Sequence, residues 1–245
     1  MEKKIERVLV TGAARGIGLS IATRLAKEGF FVILSDVDAD ALADATSELK
    51  QRDLNVVSCA FDCRDRAAVQ ACLEQFSPID ILVNNAAMAD SLKPFLELSR
   101  DEIEKLLSIN LHGSFVCAQE TARQMHEGGR IVNIASRGYL GGAGAAHYVA
   151  SKAALVGLTR SMATELRWKN INVNAVAPGM VDTRLLEFFT KGTMDQLATL
   201  EPSGAAMNPN TIADIVAFLI SPDAASMSGQ VLLADGGKTM GVPIY

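Results

Sequence analysis

A doubly wound α/β fold, one parallel sheet with helices on both faces, is predicted by three features of this sequence. Short runs rich in Val, Ile and Leu alternate with longer amphipathic runs from residue 7 onward. The short runs are apolar at consecutive positions rather than at every second one, so both faces of each strand need helix cover. No repeat, low-complexity tract or linker breaks the rhythm, and the 245 residues read as a single domain, 1–245.

Taken in order, RVLV (7–10) is the first strand and GLSIATRLAKEG its helix; FFVILS (30–35) precedes ADALADATSELKQR, and NVVSCA (55–60) precedes RAAVQACLEQF. DILVNN (80–85) leads into a long helical region, and RIVNIAS (130–136) into the helical run AAHYVASKAALVGLTRSMATEL. INVNAVAP (171–178) and VLLAD (231–235) are the last strands. Between them, over residues 182–209, Gly, Pro, Asn and Ser interrupt short apolar pieces such as LLEFF, a pattern that suits a substrate loop or lid and equally an irregular surface excursion.

A hydrophobic content of 49% is enough to bury a substantial core, and a net charge of −5 without clustered Lys or Arg excludes nucleic acid or an anionic membrane surface as the main partner. No apolar run is long enough to span a bilayer, and because MEKKIERVLVTG runs directly into a strand, no secretory leader is expected. Cys59, Cys63, Cys72 and Cys117 have neither CxxC nor metal-ligand spacing. Reduced, packed thiols in a cytoplasmic protein without a metal are therefore expected.

The first strand ends in TGAARGIG, where Gly12, Gly16 and Gly18 allow a tight turn and let Arg15, Ile17 and the start of a helix approach a pyrophosphate. Asp36 closes the next strand, eighteen residues beyond Gly18, where a carboxylate can accept both hydroxyls of an adenosine ribose and repel a 2′-phosphate. NAD is expected over NADP. Arg15 is the opposing signal, since a guanidinium beside the glycines can bind that phosphate, but Val37 stands where a second base would help.

Tyr148 and Lys152 are four residues apart on one helical run and so share a face. An ammonium about 4 Å from a phenol, at an effective dielectric near 20, offers up to ~4 kcal/mol, roughly three pKa units. Desolvation opposes this, but the expected net effect is a phenol titrating nearer working pH, where proton exchange is most useful. Tyr139, the rival phenol, has no lysine four residues on.

In chain order, TGAARGIG, NNAA (84–87), Asn110, Ser136, YVASK (148–152), NAVAPGMVDT (174–183) and GQVLLADGG (229–237) together resemble the motifs of the short-chain dehydrogenase/reductase family, in its compact single-domain form. The resemblance implies a Rossmann-type sheet of about seven strands and a catalytic set of Asn110, Ser136, Tyr148 and Lys152. Tyr148 would exchange the substrate proton, Ser136 would hydrogen-bond the substrate oxygen, Lys152 would also bind the nicotinamide ribose, and Asn110 would hold a water leading to Lys152. It further implies Asp62 and the Cys63 backbone at adenine, Asn84 and Ala86 along the adenosine wall, and Pro178, Gly179, Val181 and Thr183 around the carboxamide. A homotetramer, or a homodimer, is the implied assembly.

Three departures from the family pattern fall mostly on the substrate side: Ala87 in place of the usual glycine, only twelve positions from Ser136 to Tyr148, and PSGAAMNPNTIAD at 202–214. By neighbourhood alone, Met88, Arg137, Tyr139, Met180 and Leu185 are the candidate pocket wall. The function expected is NAD(H)-linked interconversion of a secondary alcohol and a ketone. NADPH-linked reduction of a 3-oxoacyl thioester on acyl carrier protein or CoA is the alternative within enzymes, and a non-catalytic dinucleotide-sensing regulator the alternative outside them.

Overall fold

A computed structural model of the chain describes residues 5–183 and 197–240. Its strands are β1 (Arg7–Thr11), β2 (Phe31–Ser35), β3 (Val56–Ser58), β4 (Ile81–Asn84), β5 (Arg130–Ile134), β6 (Asn172–Pro178) and β7 (Val231–Ala234). They form one seven-stranded sheet in the order β3-β2-β1-β4-β5-β6-β7, and every neighbouring pair is parallel. The order reverses between β1 and β4. At such a switch point the chains leaving two adjacent strands diverge to opposite faces, which opens a crevice beyond their carboxyl ends.

Seven described helices cover the sheet: α1 (Gly16–Lys27), α2 (Ala39–Gln51), α3 (Arg66–Phe76), α4 (Arg100–Leu107), α5 (Ser114–Gln124), α6 (Ala146–Leu166) and α7 (Pro209–Ile220). The consecutive apolar positions of the strands part to the two faces as the pleat dictates. Val8, Val10, Ile81 and Val83 join Ile21 and Leu25 of α1 and Ile212 and Val216 of α7 in one core. Leu9, Leu82 and Ile131 join Val69 and Leu73 of α3 and Val116 of α5 in the other. Leu9, Leu82 and Ile131 are fully buried, and each such side chain contributes about 1.5–3 kcal/mol relative to exposure.

Helix starts are set by short polar side chains. Asp38 caps α2 by accepting from the Ala41 amide, Asp65 caps α3, and Ser99 with Glu102 forms a capping box on α4. Among the described residues no helix is long and apolar enough to cross a membrane, and no group of three or more His, Cys, Asp or Glu side chains is placed to hold a metal ion. The four cysteines are free. Burial pushes the Cys63 thiol up to about 11, which keeps it protonated and unreactive at neutral pH.

Candidate active site

A cleft of about 940 Å³ opens at the switch point, lined along one side by Thr11, Gly12, Arg15, Gly16 and Ile17, within the size range of cofactor sites. Gly12 and Gly16 both have left-handed backbone, with φ of +64° and +57°. A Cβ on Gly12 would lie 2.8 Å from Ala86 Cα. The first turn of α1 carries no acidic residue, so its amide dipoles face the cleft without a competing carboxylate, an arrangement suited to a pyrophosphate. The residues present thus fit a dinucleotide.

At the far end, Asp36 lines the cleft with Ser35, Val37, Phe61, Asp62, Cys63 and Arg64. The Ala14 amide donates to one Asp36 carboxylate oxygen at 3.2 Å and the Asp38 amide to the other at 3.1 Å. Asp62 is gripped by Arg64 through both carboxylate oxygens, which holds its carboxyl below the ordinary range.

Ser136, Tyr148 and Lys152 come together on the opposite wall. Gly138 lies against both hydroxyl-bearing side chains: a Cβ there would sit 3.2 Å from Ser136 Oγ, a tight approach, and 3.5 Å from Tyr148 Cε1, in ordinary contact. The Gly138 amide donates to Ser136 Oγ at 3.0 Å, leaving the hydroxyl hydrogen for another acceptor. Lys152 is 3% exposed; its Nζ donates to the Ile134 carbonyl at 2.8 Å and stands 5.9 Å from the centre of the Tyr148 ring. The (i, i+4) spacing therefore does place phenol and amine on one face.

Comparison with known proteins agrees with this geometry. A family model described as enoyl-(acyl carrier protein) reductase matches residues 12–239. (2S)-[(R)-hydroxy(phenyl)methyl]succinyl-CoA dehydrogenase subunit BbsD of Thauera aromatica is 38% identical over 240 residues, 95% of this chain and 96% of that protein. The chain belongs to the short-chain dehydrogenase/reductase family. The 3-oxoacyl-[acyl-carrier-protein] reductase FabG of Staphylococcus aureus is 35% identical over 247 residues, 97% of this chain and all of the relative. A crystal structure of a variant actinorhodin polyketide ketoreductase with NADPH superposes with a TM-score of 0.88 at 34% identity, covering 96% of this chain and 97% of that one. This short-chain dehydrogenase/reductase is accordingly an oxidoreductase of the kind that binds a nicotinamide dinucleotide.

Several sequence expectations need correction. Burial raises the Tyr148 phenol above its ordinary range, opposed only by a hydrogen bond with Ser136, and burial also pushes Lys152 down to about 8. Both charged forms are disfavoured because the pair shares one desolvated site. Asn110 does not line the cleft. It lies in a π-helical turn, Ser108–Gly113, with its Oδ1 accepting from the Met88 amide and its Nδ2 donating to Met88 O and Ser151 Oγ. Both amide hydrogens are engaged, and Ser151 Oγ donates in turn to Tyr148 O at 2.7 Å, so Asn110 is linked through Ser151 to the backbone of α6.

Asn84, expected on the adenosine wall, is 2% exposed and donates to Asn133 Oδ1 of β5 and to the Ser114 carbonyl at the start of α5. Its neighbour Asn85 lines the cleft instead, and Asn85 Nδ2 donates to the carbonyls of Thr11 and Gly12, fastening the glycine turn. Gly18 does not line the cleft either; a Cβ there would lie 2.2 Å from Gly12 O and 2.5 Å from Asn85 Nδ2. It lets α1 pack against the turn. Gly18→Ala will therefore weaken dinucleotide binding at least tenfold and lower Tm, because turn and helix must separate; fluorescence titration and thermal melts check this.

On the substrate side, Met88, Arg137 and Met180 line the cleft, and so do Ala86, Pro178, Gly179, Val181 and Thr183. Tyr139 packs against Ala135, Val156, Ala175 and Ala177 rather than lining it. Leu185 and residues 184–196 of the expected lid lie outside the described residues. Arg137 is not a solvated charge: Glu201, 8% exposed, accepts from it through both carboxylate oxygens, at 3.0 and 3.1 Å, and from Lys238 at 2.8 Å. Burial opposes ionisation of Glu201, but these two cations more than offset it and keep its carboxyl low. Sequence reasoning missed Glu201 and Lys238, since nothing in their local sequence marks them.

Proposed function

We propose that this short-chain dehydrogenase/reductase interconverts a secondary alcohol and a ketone with NAD(H). The observation that carries the reading is the convergence of Ser136 and Tyr148 beside Gly138, with Lys152 next to the phenol, on the wall of a cleft whose other wall is the glycine turn. Two hydroxyls side by side can address one substrate oxygen, as a carbonyl or carbinol requires and a carbon–carbon double bond does not. When bound, the nicotinamide supplies or accepts the hydride. Tyr148, kept protonated by burial, gives its proton to the carbonyl oxygen as negative charge develops there. Ser136 donates a second hydrogen bond to the same oxygen. Lys152, with a pKa of about 8, is largely an ammonium at neutral pH and restrains the charge left on the phenol. Asn110 and Ser151 hold the turn of α6 that carries the phenol.

The adenosine end supports NAD(H). The Asp36 carboxylate is held toward the cleft by two backbone amides and would meet a 2′-phosphate as a like charge. A second reading, NADPH-linked reduction of a 3-oxoacyl thioester, is supported by the FabG relative and by the ketoreductase solved with NADPH. A sensing role without catalysis is disfavoured by the intact Ser136, Tyr148 and Lys152. Exposed Phe115, Trp168, Phe218 and Leu233 support an assembly of identical chains, the homotetramer or homodimer of the family.

Following reduced nicotinamide by absorbance across a panel of alcohols, ketones and 3-oxoacyl thioesters, with both cofactors, tests the reading. Expected is at least a tenfold higher kcat/KM with NADH than with NADPH on a ketone. Turnover of 3-oxoacyl thioesters alone, with NADPH preferred, establishes the second reading instead.

A further inference from the structure

Five charged side chains gather at the adenosine end: Arg15, Asp36, Asp38, Asp62 and Arg64. Both arginines are closed by a carboxylate of their own chain. Arg64 grips Asp62 through Nε and Nη2, and Arg15 pairs through Nη2 with Asp38. Asp36 is left with backbone amides as its hydrogen-bond partners. The end facing the ribose therefore carries an excess of one negative charge, and the guanidinium nearest the glycines already has an anion.

Asp38 does two separate things with its two oxygens. Oδ1 accepts from the Ala41 amide at 3.1 Å and caps α2. Oδ2 holds Arg15, and both side chains are 43% exposed. The capping function belongs to an oxygen that asparagine also has; the charge on the other oxygen does not. An exposed ion pair of this kind is weak, so a phosphate dianion can compete for Arg15 once the carboxylate charge is gone.

We propose that Asp38 is a cofactor-specificity residue: by holding Arg15 it withholds from a 2′-phosphate the cation placed to receive it. The inference rests on the NAD(H) reading above. Asp36 repels the phosphate directly, while Asp38 removes its counter-ion. A chain with a basic residue in its glycine turn thus keeps a preference for the dinucleotide without the phosphate.

The test uses the intact chain, with binding measured by titration calorimetry and nicotinamide fluorescence for NADH, NADPH and adenosine 2′,5′-bisphosphate, in the wild type, Asp38→Asn, and Asp38→Asn combined with Arg15→Ala. In Asp38→Asn the Kd for NADPH and for the bisphosphate falls about five- to twentyfold, that for NADH stays within twofold, and the gain shrinks as salt is added. Tm is unchanged because the cap is retained. Adding Arg15→Ala abolishes the gain. Equal NADPH affinity in wild type and Asp38→Asn overturns the proposal, as does a gain that survives Arg15→Ala. Wild-type preference for NADPH removes the NAD(H) reading; the Asp38 proposal then stands only if Asp38→Asn still tightens NADPH through Arg15.

Discussion

Tyr148→Phe will lower kcat about a thousandfold in both directions while leaving the Kd of the dinucleotide within a few-fold. The substitution removes one oxygen from a ring that stays packed at the start of α6, so neither the fold nor the cleft changes shape. What is lost is the proton that the carbonyl oxygen takes up as hydride arrives, and a positioned proton donor contributes about 10²–10⁴ in rate. Ser136 remains, with its Oγ fixed by the Gly138 amide, and supplies a hydrogen bond but no transferable proton of suitable acidity. The residual rate therefore measures hydrogen bonding and proximity alone. Single-turnover kinetics with saturating dinucleotide isolate this step. A kcat within tenfold of wild type would show that the proton comes from elsewhere and would end the assignment.

Lys152→Met tests the same site through stability as well as rate. In the unfolded chain this amine has its ordinary pKa of 10.5, and in the folded chain burial lowers it to about 8. Below pH 8 the ammonium is present in both states and the full cost of burying it opposes folding. As pH rises from 8 towards 10.5 the folded chain has shed the proton and the unfolded chain has not, so stability grows with pH by an amount on the order of 3 kcal/mol. Methionine has similar length and no charge, so the variant lacks that increment. The difference in stability between wild type and Lys152→Met, from denaturant melts at matched pH, climbs in favour of wild type between pH 8 and 10; parallel curves would mean that the amine is not desolvated. Carbonyl reduction at pH 7 falls about a hundredfold in the variant, since the phenolate left by proton transfer loses its nearby cation. In the wild type the reductive rate declines as pH passes 8, where the ammonium is lost.

The fold was legible because strand burial is written along the chain. Consecutive apolar residues such as Val8, Leu9 and Val10 can be covered only from both sides, and the structure sends alternate ones into two different cores. The glycine turn was legible for a related reason: a strand, a left-handed turn and a helix start follow one another without a gap. Asn84 and Asn85 were harder. Identical side chains one residue apart differ in that Asn84 still belongs to β4 and faces Asn133, whereas Asn85 is the first residue beyond the strand and reaches the turn. No local pattern places the strand end to within one residue.

By itself the sequence determined the order of strands and helices, the glycine turn between the first strand and its helix, and the shared face of Tyr148 and Lys152. These three depend on neighbours within a few positions, where strand and helix periodicity sets direction. Tertiary structure alone decided how those residues are charged and what they touch. Burial reverses the shift expected for the phenol, Glu201 reaches back across sixty-four residues to neutralise Arg137, and Asp38 closes on Arg15 from another helix. Desolvation and ion pairing depend on what surrounds a group in space, and a linear pattern does not contain that distance.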